Sequence, residues 1–152
     1  MEVEEFTGLI KNVTAVIADN NLNEELADLL NLKFPENGST FNDIQKSCLS
    51  GIEAGWMCNN VAGSIRFGRV IKDVDGFSVD VVLMDEVVGP HHRHPKGEID
   101  MVMPVSERAT FDGNGVGWVV YPPGSAHKPT VKNGKAIVLY LLPEGEIEFT
   151  RS

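Results

Sequence analysis

Three of the four histidines in this 152-residue chain fall in one ten-residue segment, Gly-Pro-His-His-Arg-His-Pro-Lys-Gly-Glu, at residues 89–98. Imidazole nitrogens and carboxylate oxygens are ligands that first-row transition metals accept. His92 and His94 are two positions apart, so a strand would present both on one face. Glu98 follows a Pro-Lys-Gly turn, and His127 lies in a second segment rich in proline and glycine. These four residues predict a metal site if the fold brings the two segments together.

Other residues in and near these segments are predicted to have different roles. His91 and Arg93 are out of phase with the paired histidines, so we expect both to face away, with Arg93 paired to a carboxylate. Asp100 shares the phase of Glu98, which makes it a candidate outer partner or proton carrier, or else a surface strand residue. Tyr121 is a second candidate for moving protons.

The sequence of the first 58 residues predicts helices, which would lie outside the part of the chain that contains the site. Apolar residues recur at three- and four-residue steps over residues 2–18, the pattern of an amphipathic helix. Asn23 is predicted to cap a second helix, and Ser39 or Thr40 a third. These helices should pack on the same domain as the metal site, or alternatively form a dimer interface.

From residue 59 onward, short runs of β-branched and aromatic residues alternate with turn residues, which predicts strands. Besides the histidine segment, the predicted strands cover residues 61–71, 77–88, 98–105, 109–111, 116–121, 135–142 and 146–150. Such spacing is typical of a sandwich or barrel, and a jelly roll would close off edges that separate hairpins leave exposed.

Charge and composition exclude several classes of partner. With 13 basic and 22 acidic residues, the net charge of -9 argues against binding to a nucleic-acid backbone. No apolar run approaches the length of a membrane span, and the acidic start lacks the basic region of a secretory signal. We therefore expect a cytoplasmic protein without a membrane partner, in which Cys48 and Cys58 are reduced.

The two histidine segments resemble the two sequence motifs of the cupin superfamily. Residues 89–98 match His-x-His followed after three residues by Glu, and residues 117–127 match the second motif with its Pro-x-Gly-x-x-His end. One departure is Val131, which stands where an asparagine often follows the last histidine. The resemblance implies a mainly β fold with N-terminal α-helices. Residues 59–152 would form a cupin-type double-stranded β-helix, a jelly-roll barrel, with residues 1–58 packed on it.

The same resemblance implies a ligand set and a cofactor. Its metal ligands match His92, His94, Glu98 and His127, and the implied cofactor is a divalent transition metal such as Fe, Mn, Zn, Ni or Co. An ion with an open coordination position would polarise a substrate atom or lower the pKa of bound water.

A narrower resemblance is to the 4-hydroxylaminobenzoate lyase family. It is carried by His-His-Arg-His-Pro-x-Gly-Glu-Ile-Asp and Trp-x-Val-Tyr-Pro-Pro-Gly-Ser-x-His, with a helical segment before a single barrel. It implies release of ammonia from 4-hydroxylaminobenzoate, leaving 3,4-dihydroxybenzoate, and we expect a homodimer. An iron-dependent dioxygenase would share the ligand set, and a non-catalytic cupin that binds a small ligand is the third alternative.

Five residues are candidates for binding such a small-molecule substrate. A substrate carboxylate suits the bidentate fork of arginine or the point charge of lysine, and an aromatic ring suits aromatic walls. The candidates are Arg66, Arg69, Lys96, Trp118 and Tyr140. Each cation is alternatively a solvated surface charge, whereas Trp118 and Tyr140 are alternatively core residues.

Overall fold

The computed structural model describes residues 3–18 and 20–150, and three helices precede the strands. The helices are α1 (Val3–Ile17), α2 (Glu24–Lys33) and α3 (Ser39–Ala54). Residue 2, the predicted start of the first helix, lies outside the described residues. None of the helices in the described ranges is long and apolar enough to span a membrane.

The N-cap predicted from the sequence is found in one helix and not in another. The Asn23 side chain accepts the Leu26 N–H at 3.0 Å, which confirms the predicted cap of α2. The predicted cap of α3 is wrong, because Ser39 and Thr40 are already helical and Gly38 holds the N-cap position without a side-chain bond. Helix α3 therefore begins at Ser39, one residue earlier than a cap at Ser39 would have placed it.

The rest of the chain forms short antiparallel strands. They are β1 (Asn60–Ala62), β2 (Ile65–Val74), β3 (Phe77–Val88), β4 (His92–His94), β5 (Glu98–Pro104), β6 (Thr110–Phe111), β7 (Gly117–Tyr121), β8 (Ser125–His127), β9 (Thr130–Pro143) and β10 (Glu148–Phe149). The predicted strand at residues 61–71 is divided by a turn that includes Gly63, whose φ is +59°. The strand β8 was not predicted, and β9 begins five residues before the predicted strand.

These strands form two sheets that face each other. The larger sheet has the order β1-β2-β3-β9-β5-β7, with β6 also paired to β9, and the smaller has the order β10-β4-β8. Connections that cross between two antiparallel sheets in this way form a jelly roll. The predicted class, mainly β with N-terminal helices, is confirmed.

The larger sheet lies between two apolar layers. Its outer face, which includes Met101 and Leu139, packs in one cluster with the buried faces of all three helices. Its inner face, which includes Val102 and Val138, packs in a second cluster inside the barrel. Because side chains alternate along β5, the residues between those of the outer layer, Glu98 and Asp100, point into the barrel.

Helix α2 is joined to β7 by hydrogen bonds as well as by packing. The Asn31 side chain accepts the Trp118 N–H at 2.9 Å and donates to the Trp118 carbonyl at 3.2 Å. The Trp118 indole N–H donates to the Phe34 carbonyl at 3.0 Å. Gly117, with φ +134°, is needed beside this link, because a Cβ there would lie 2.7 Å from Asn31 Oδ1.

Candidate metal centre

The three histidines of the candidate site come from two neighbouring strands of the smaller sheet. On β4, His92 and His94 are buried while Arg93 between them is exposed, so the two imidazoles share one face. Antiparallel pairing of β4 with β8 sets His127 directly opposite His92. Glu98 begins β5 in the larger sheet, after a turn at Gly97, whose φ is +92°. A side chain at that glycine would lie 2.8 Å from the Tyr121 carbonyl, so the turn requires glycine.

The four side chains converge on one point. One ligand-type atom from each of His92, His94, Glu98 and His127 lies within 4.8 Å of all the others. Glu98 Oε1 is 3.1 Å from His94 Nε2 and 3.6 Å from His92 Nε2, and Glu98 Oε2 is 3.7 Å from His127 Nε2. The two segments are therefore brought together by the pairing of β4 with β8.

Each histidine has one ring nitrogen that faces away from the cluster. The hydrogen bond made by that nitrogen shows which of the two nitrogens carries the proton. His92 Nδ1 donates to the Pro90 carbonyl at 3.3 Å. His94 Nδ1 donates at 3.0 Å to Ser125 Oγ, whose own hydrogen is directed to the Pro122 carbonyl.

His127 follows the same rule, since its Nδ1 donates to an Asp112 carboxylate oxygen at 2.5 Å. All three acceptors require a proton on Nδ1, so Nε2 is the nitrogen that each ring presents to the cluster. His92 Nε2 and His127 Nε2 are 3.1 Å apart, close enough to share one cation, either a proton or a metal ion.

The donor set fits a divalent metal ion. Within the described ranges, His94 Nε2 and both oxygens of Glu98 are buried without a hydrogen-bond partner. Leaving such atoms unsatisfied is costly, whereas three imidazoles and a carboxylate suit Zn(II), Fe(II) or a neighbouring first-row ion. The cluster can therefore hold a metal.

Without a metal, the negative charge of Glu98 and the positive charge of His127 stabilise each other. Burial opposes ionisation of Glu98, but contacts with the imidazoles of His127, His92 and His94 hold its pKa well below the usual range. Burial also opposes a charge on His127, yet its hydrogen bond to Asp112 and the nearby negative charge of Glu98 raise its pKa to about 9. At neutral pH a metal ion must therefore displace a proton from His127.

Asp112 is a part of the site that sequence reasoning missed. It lies in the turn between β6 and β7, and its Oδ2 accepts hydrogen bonds from both His127 Nδ1 and Tyr121 Oη. Burial opposes its charge, but those two donors and the Thr130 N–H lower the pKa of Asp112. The sequence showed only an Asp-Gly-Asn-Gly turn there, and nothing in that pattern points to partners many positions away.

The two predicted proton carriers lie beside the cluster in different surroundings. The ring of Tyr121 packs on His127 and His94, with centroids 4.5 and 5.4 Å away. Burial and its hydrogen bond to Asp112 raise the pKa of Tyr121, so its hydroxyl stays protonated. Asp100 is fully buried, and burial together with the nearby negative charge of Glu98 raises its pKa well above the usual range.

A cavity of about 420 Å³ opens beside the cluster, and His92 forms part of its wall. Its lining is mainly apolar, with Phe67 and Phe149 among the contributing side chains. Arg69 and Tyr140 also line it. Within residues 3–18 and 20–150 the Tyr140 hydroxyl makes no hydrogen bond, whereas Arg69 forms a two-point pair with Asp80 at 2.7 and 3.2 Å.

The other predicted substrate contacts lie away from this cavity. Arg66 is one of the residues that line a separate groove, on the sheet face that packs against α3. Lys96 is exposed and forms ion pairs with Glu144 and Glu146. Trp118 is buried under the helices, as its alternative role in the core required.

The two residues expected to face away from the cluster do lie on the outer side of β4. His91 Nδ1 contacts Thr150 Oγ1 at 2.5 Å. Arg93 forms an exposed ion pair with Glu148 on β10. Both contacts join β4, or the residue just before it, to the C-terminal segment.

Comparison with known proteins identifies the family of the chain. The family model described as PnbB, 4-hydroxylaminobenzoate lyase, matches residues 8–149. The chain belongs to this family. A 4-hydroxylaminobenzoate lyase from Pseudomonas putida is 30% identical over 166 residues, covering 96% of this chain and 94% of the relative. Another, from Nocardioides sp. (strain LMS-CY), is 31% identical over 156 residues, covering 95% and 88%.

This member of the 4-hydroxylaminobenzoate lyase family also resembles a solved structure in its fold. The DMSP lyase DddQ from Ruegeria pomeroyi DSS-3 superposes with a TM-score of 0.52 at 16% identity, covering 90% of this chain and 75% of that one. The fold is the jelly roll that the sequence predicted. Because the superposition covers 90% of this chain, it extends beyond the strands into the helical segment.

Proposed function

We propose that the protein is a metal-dependent lyase that converts 4-hydroxylaminobenzoate to 3,4-dihydroxybenzoate and ammonia. The observation that carries this proposal is the buried cluster of His92, His94, Glu98 and His127 beside an apolar cavity, in a chain that belongs to the lyase family. In the overall reaction the nitrogen is reduced as the ring is oxidised, and water supplies an oxygen atom. The conversion therefore consumes no dioxygen.

We propose that the four clustered residues hold the metal. A divalent ion there would supply a Lewis acid for the hydroxylamino oxygen or for a water molecule. Asp100 is proposed to act behind Glu98, where its neutral carboxyl can exchange a proton with that carboxylate. Tyr121, which donates to Asp112, is proposed to be the second group that handles protons near His127.

The substrate carboxylate is proposed to bind Arg69, because this is the predicted cation whose side chain lines the cavity. Two of its nitrogens contact Asp80, and Nη1 makes no hydrogen bond within the described residues. The Tyr140 hydroxyl, whose pKa is raised by burial and the nearby carboxylates, stays protonated and can donate to the substrate.

Removing Arg69 should therefore weaken selection for the carboxylate. A hydrogen bond to a charged group is worth about 1.5–3 kcal/mol, so Arg69→Met should reduce kcat/KM for 4-hydroxylaminobenzoate about tenfold to a hundredfold. Phenylhydroxylamine, which has no carboxylate, should react equally with both proteins. Arg108→Met, at an exposed arginine outside this cavity, is the matched control. Equal losses on both substrates would contradict the proposed contact.

The reaction itself is tested by anaerobic incubation of purified, metal-analysed protein with 4-hydroxylaminobenzoate. We expect equimolar ammonia and 3,4-dihydroxybenzoate, and loss of both metal and turnover in His92→Ala and Glu98→Ala. His91→Ala is the matched control, because the neighbouring imidazole contacts Thr150 on the outer side of β4. Full activity of metal-free protein would refute the proposal. Strict dependence on oxygen would support a dioxygenase, and unchanged substrate would support a binding module.

We also propose that the protein acts in the cytoplasm as a homodimer, as the sequence led us to expect. Sedimentation equilibrium at micromolar concentration should give twice the chain mass, and a single-chain mass would contradict the dimer.

A further inference from the structure

Asp112 is not one of the four clustered residues, but it is fixed firmly next to them. It begins the turn between β6 and β7 in a left-handed conformation, with φ +50°. Its backbone N–H donates to the Thr130 carbonyl at 2.8 Å, and the Thr130 N–H donates to Asp112 Oδ1 at 2.8 Å. Two hydrogen bonds to the start of β9 therefore hold the carboxylate in place.

The second oxygen of the same carboxylate faces the metal cluster. Oδ2 accepts a hydrogen bond from His127 Nδ1 and another from Tyr121 Oη, each 2.5 Å long. Every group that contacts the carboxylate is a donor, so all the bonds are satisfied together only by the anion. Hydrogen bonds to an ionised acceptor are roughly twice as strong as those between neutral groups.

His127 depends on such a partner more than the other two histidines do. His92 and His94 lie on β4, the central strand of the smaller sheet, whereas His127 ends β8 at its edge. The Nδ1 partners of His92 and His94 are neutral oxygens, from Pro90 and Ser125. His127 is also the most exposed of the cluster, at 12%, so packing restrains its ring least.

We propose that Asp112 is a positioning residue for the metal site. Its carboxylate keeps the proton of His127 on Nδ1, turns Nε2 toward Glu98 and makes that nitrogen a stronger metal ligand. The inference rests on the metal site proposed above but on no particular substrate. Outer carboxylate partners of ligand histidines typically contribute about tenfold to a hundredfold in metal affinity, and we expect a loss of that size without Asp112.

The substitution Asp112→Asn tests this role with little change in shape. Asparagine offers one acceptor oxygen where aspartate offers two, so His127 and Thr130 cannot both keep an acceptor. Metal-free, full-length protein is titrated with Co(II), with affinity measured by chelator competition and ligand geometry by the visible spectrum. We expect binding about tenfold to a hundredfold weaker, with an altered visible band.

A matched control is available in another hairpin turn. Asp73 accepts the Gly76 N–H at 3.0 Å between β2 and β3 and is not part of the cluster. Asp73→Asn should bind Co(II) as the wild type does. Unchanged affinity and an unchanged spectrum in folded Asp112→Asn would overturn the positioning role. Wild-type protein that binds no Co(II) would overturn the metal site as well, so the two failures are distinct.

A measurement on the wild type keeps the inference testable if Asp112→Asn does not fold. In Zn(II)-loaded protein, nitrogen-15 NMR of the histidine side chains should show His127 protonated at Nδ1 and metal-bound at Nε2. Coordination through Nδ1, or an Nε2-bound proton in the loaded protein, would refute the assignment.

Discussion

Replacing Asn31 with alanine should destabilise the protein, because this side chain joins α2 to the backbone of β7. It supplies an acceptor for the Trp118 N–H and a donor for the Trp118 carbonyl. The strand β7 is at the edge of the larger sheet, and its other side pairs with β5. Asn31 thus completes, from a helix, the hydrogen bonds that a further strand would otherwise make.

The magnitude follows from what the substitution leaves behind. Trp118 is 4% exposed, and its N–H and carbonyl would both lose their partners, although the place vacated by the exposed Asn31 side chain is open to water. Each unsatisfied buried group costs about 1–3 kcal/mol, and water entering the vacated space would recover part of that. We expect a loss of about 2–4 kcal/mol, which lowers the Tm of a protein of this size by about 5–15 °C.

Thermal and urea unfolding of the metal-free protein, followed by circular dichroism, measure this loss without any contribution from metal binding. The control is Asn20→Ala, since the Asn20 amide donates to two carbonyls of the adjoining helix end in an exposed position. That variant should lie within about 0.5 kcal/mol of wild type. An equally small effect for Asn31→Ala would refute the reasoning, because it would mean that water satisfies the edge of β7 as well as Asn31 does.

Three further outcomes are expected. Chelating the metal from loaded protein should lower the Tm, since an ion present at a hundred times its Kd adds about 2.7 kcal/mol; melts with and without chelator measure this. The affinity of the metal-free protein for metal should rise from pH 7 to about pH 9, because the raised pKa of His127 means that protons compete for Nε2 below that value. Calorimetry in two buffers should then record about one proton released at pH 7. Finally, Gly117→Ala should lower the Tm, because φ is +134° there and a methyl group would lie 2.7 Å from Asn31 Oδ1.

The sequence predicted the elements whose local signals are strong. The strand β3 covers the predicted residues 77–88, since β-branched residues dominate there and turns flank it. The strand β8 was missed because Ser125–His127 is too short for a period and lies among turn residues. The divided strand at residues 61–71 shows the same limit, because Gly63 makes a hairpin turn within an otherwise continuous pattern.

The sequence predicted those parts of the candidate site that depend only on the spacing of residues along one strand. Period two separated His92 and His94 from His91 and Arg93, because neighbouring side chains leave a strand on opposite faces. The same rule places Arg66 and Arg69 on opposite faces of β2, yet it does not say which face lines the cavity. Asp112 was out of reach for a different reason, since its contacts depend on where separate turns meet in space.

The four clustered residues are unevenly divided between the two sheets. The three histidines belong to β4 and β8 of the smaller sheet, and Glu98 is the contribution of the larger one. A bound ion would therefore act as a cross-link across the seam of the barrel, much as a disulfide joins distant parts of a chain. Folding and metal capture would then be linked events, because the four ligand atoms come together only after the seam has closed and release of the ion would loosen the same seam.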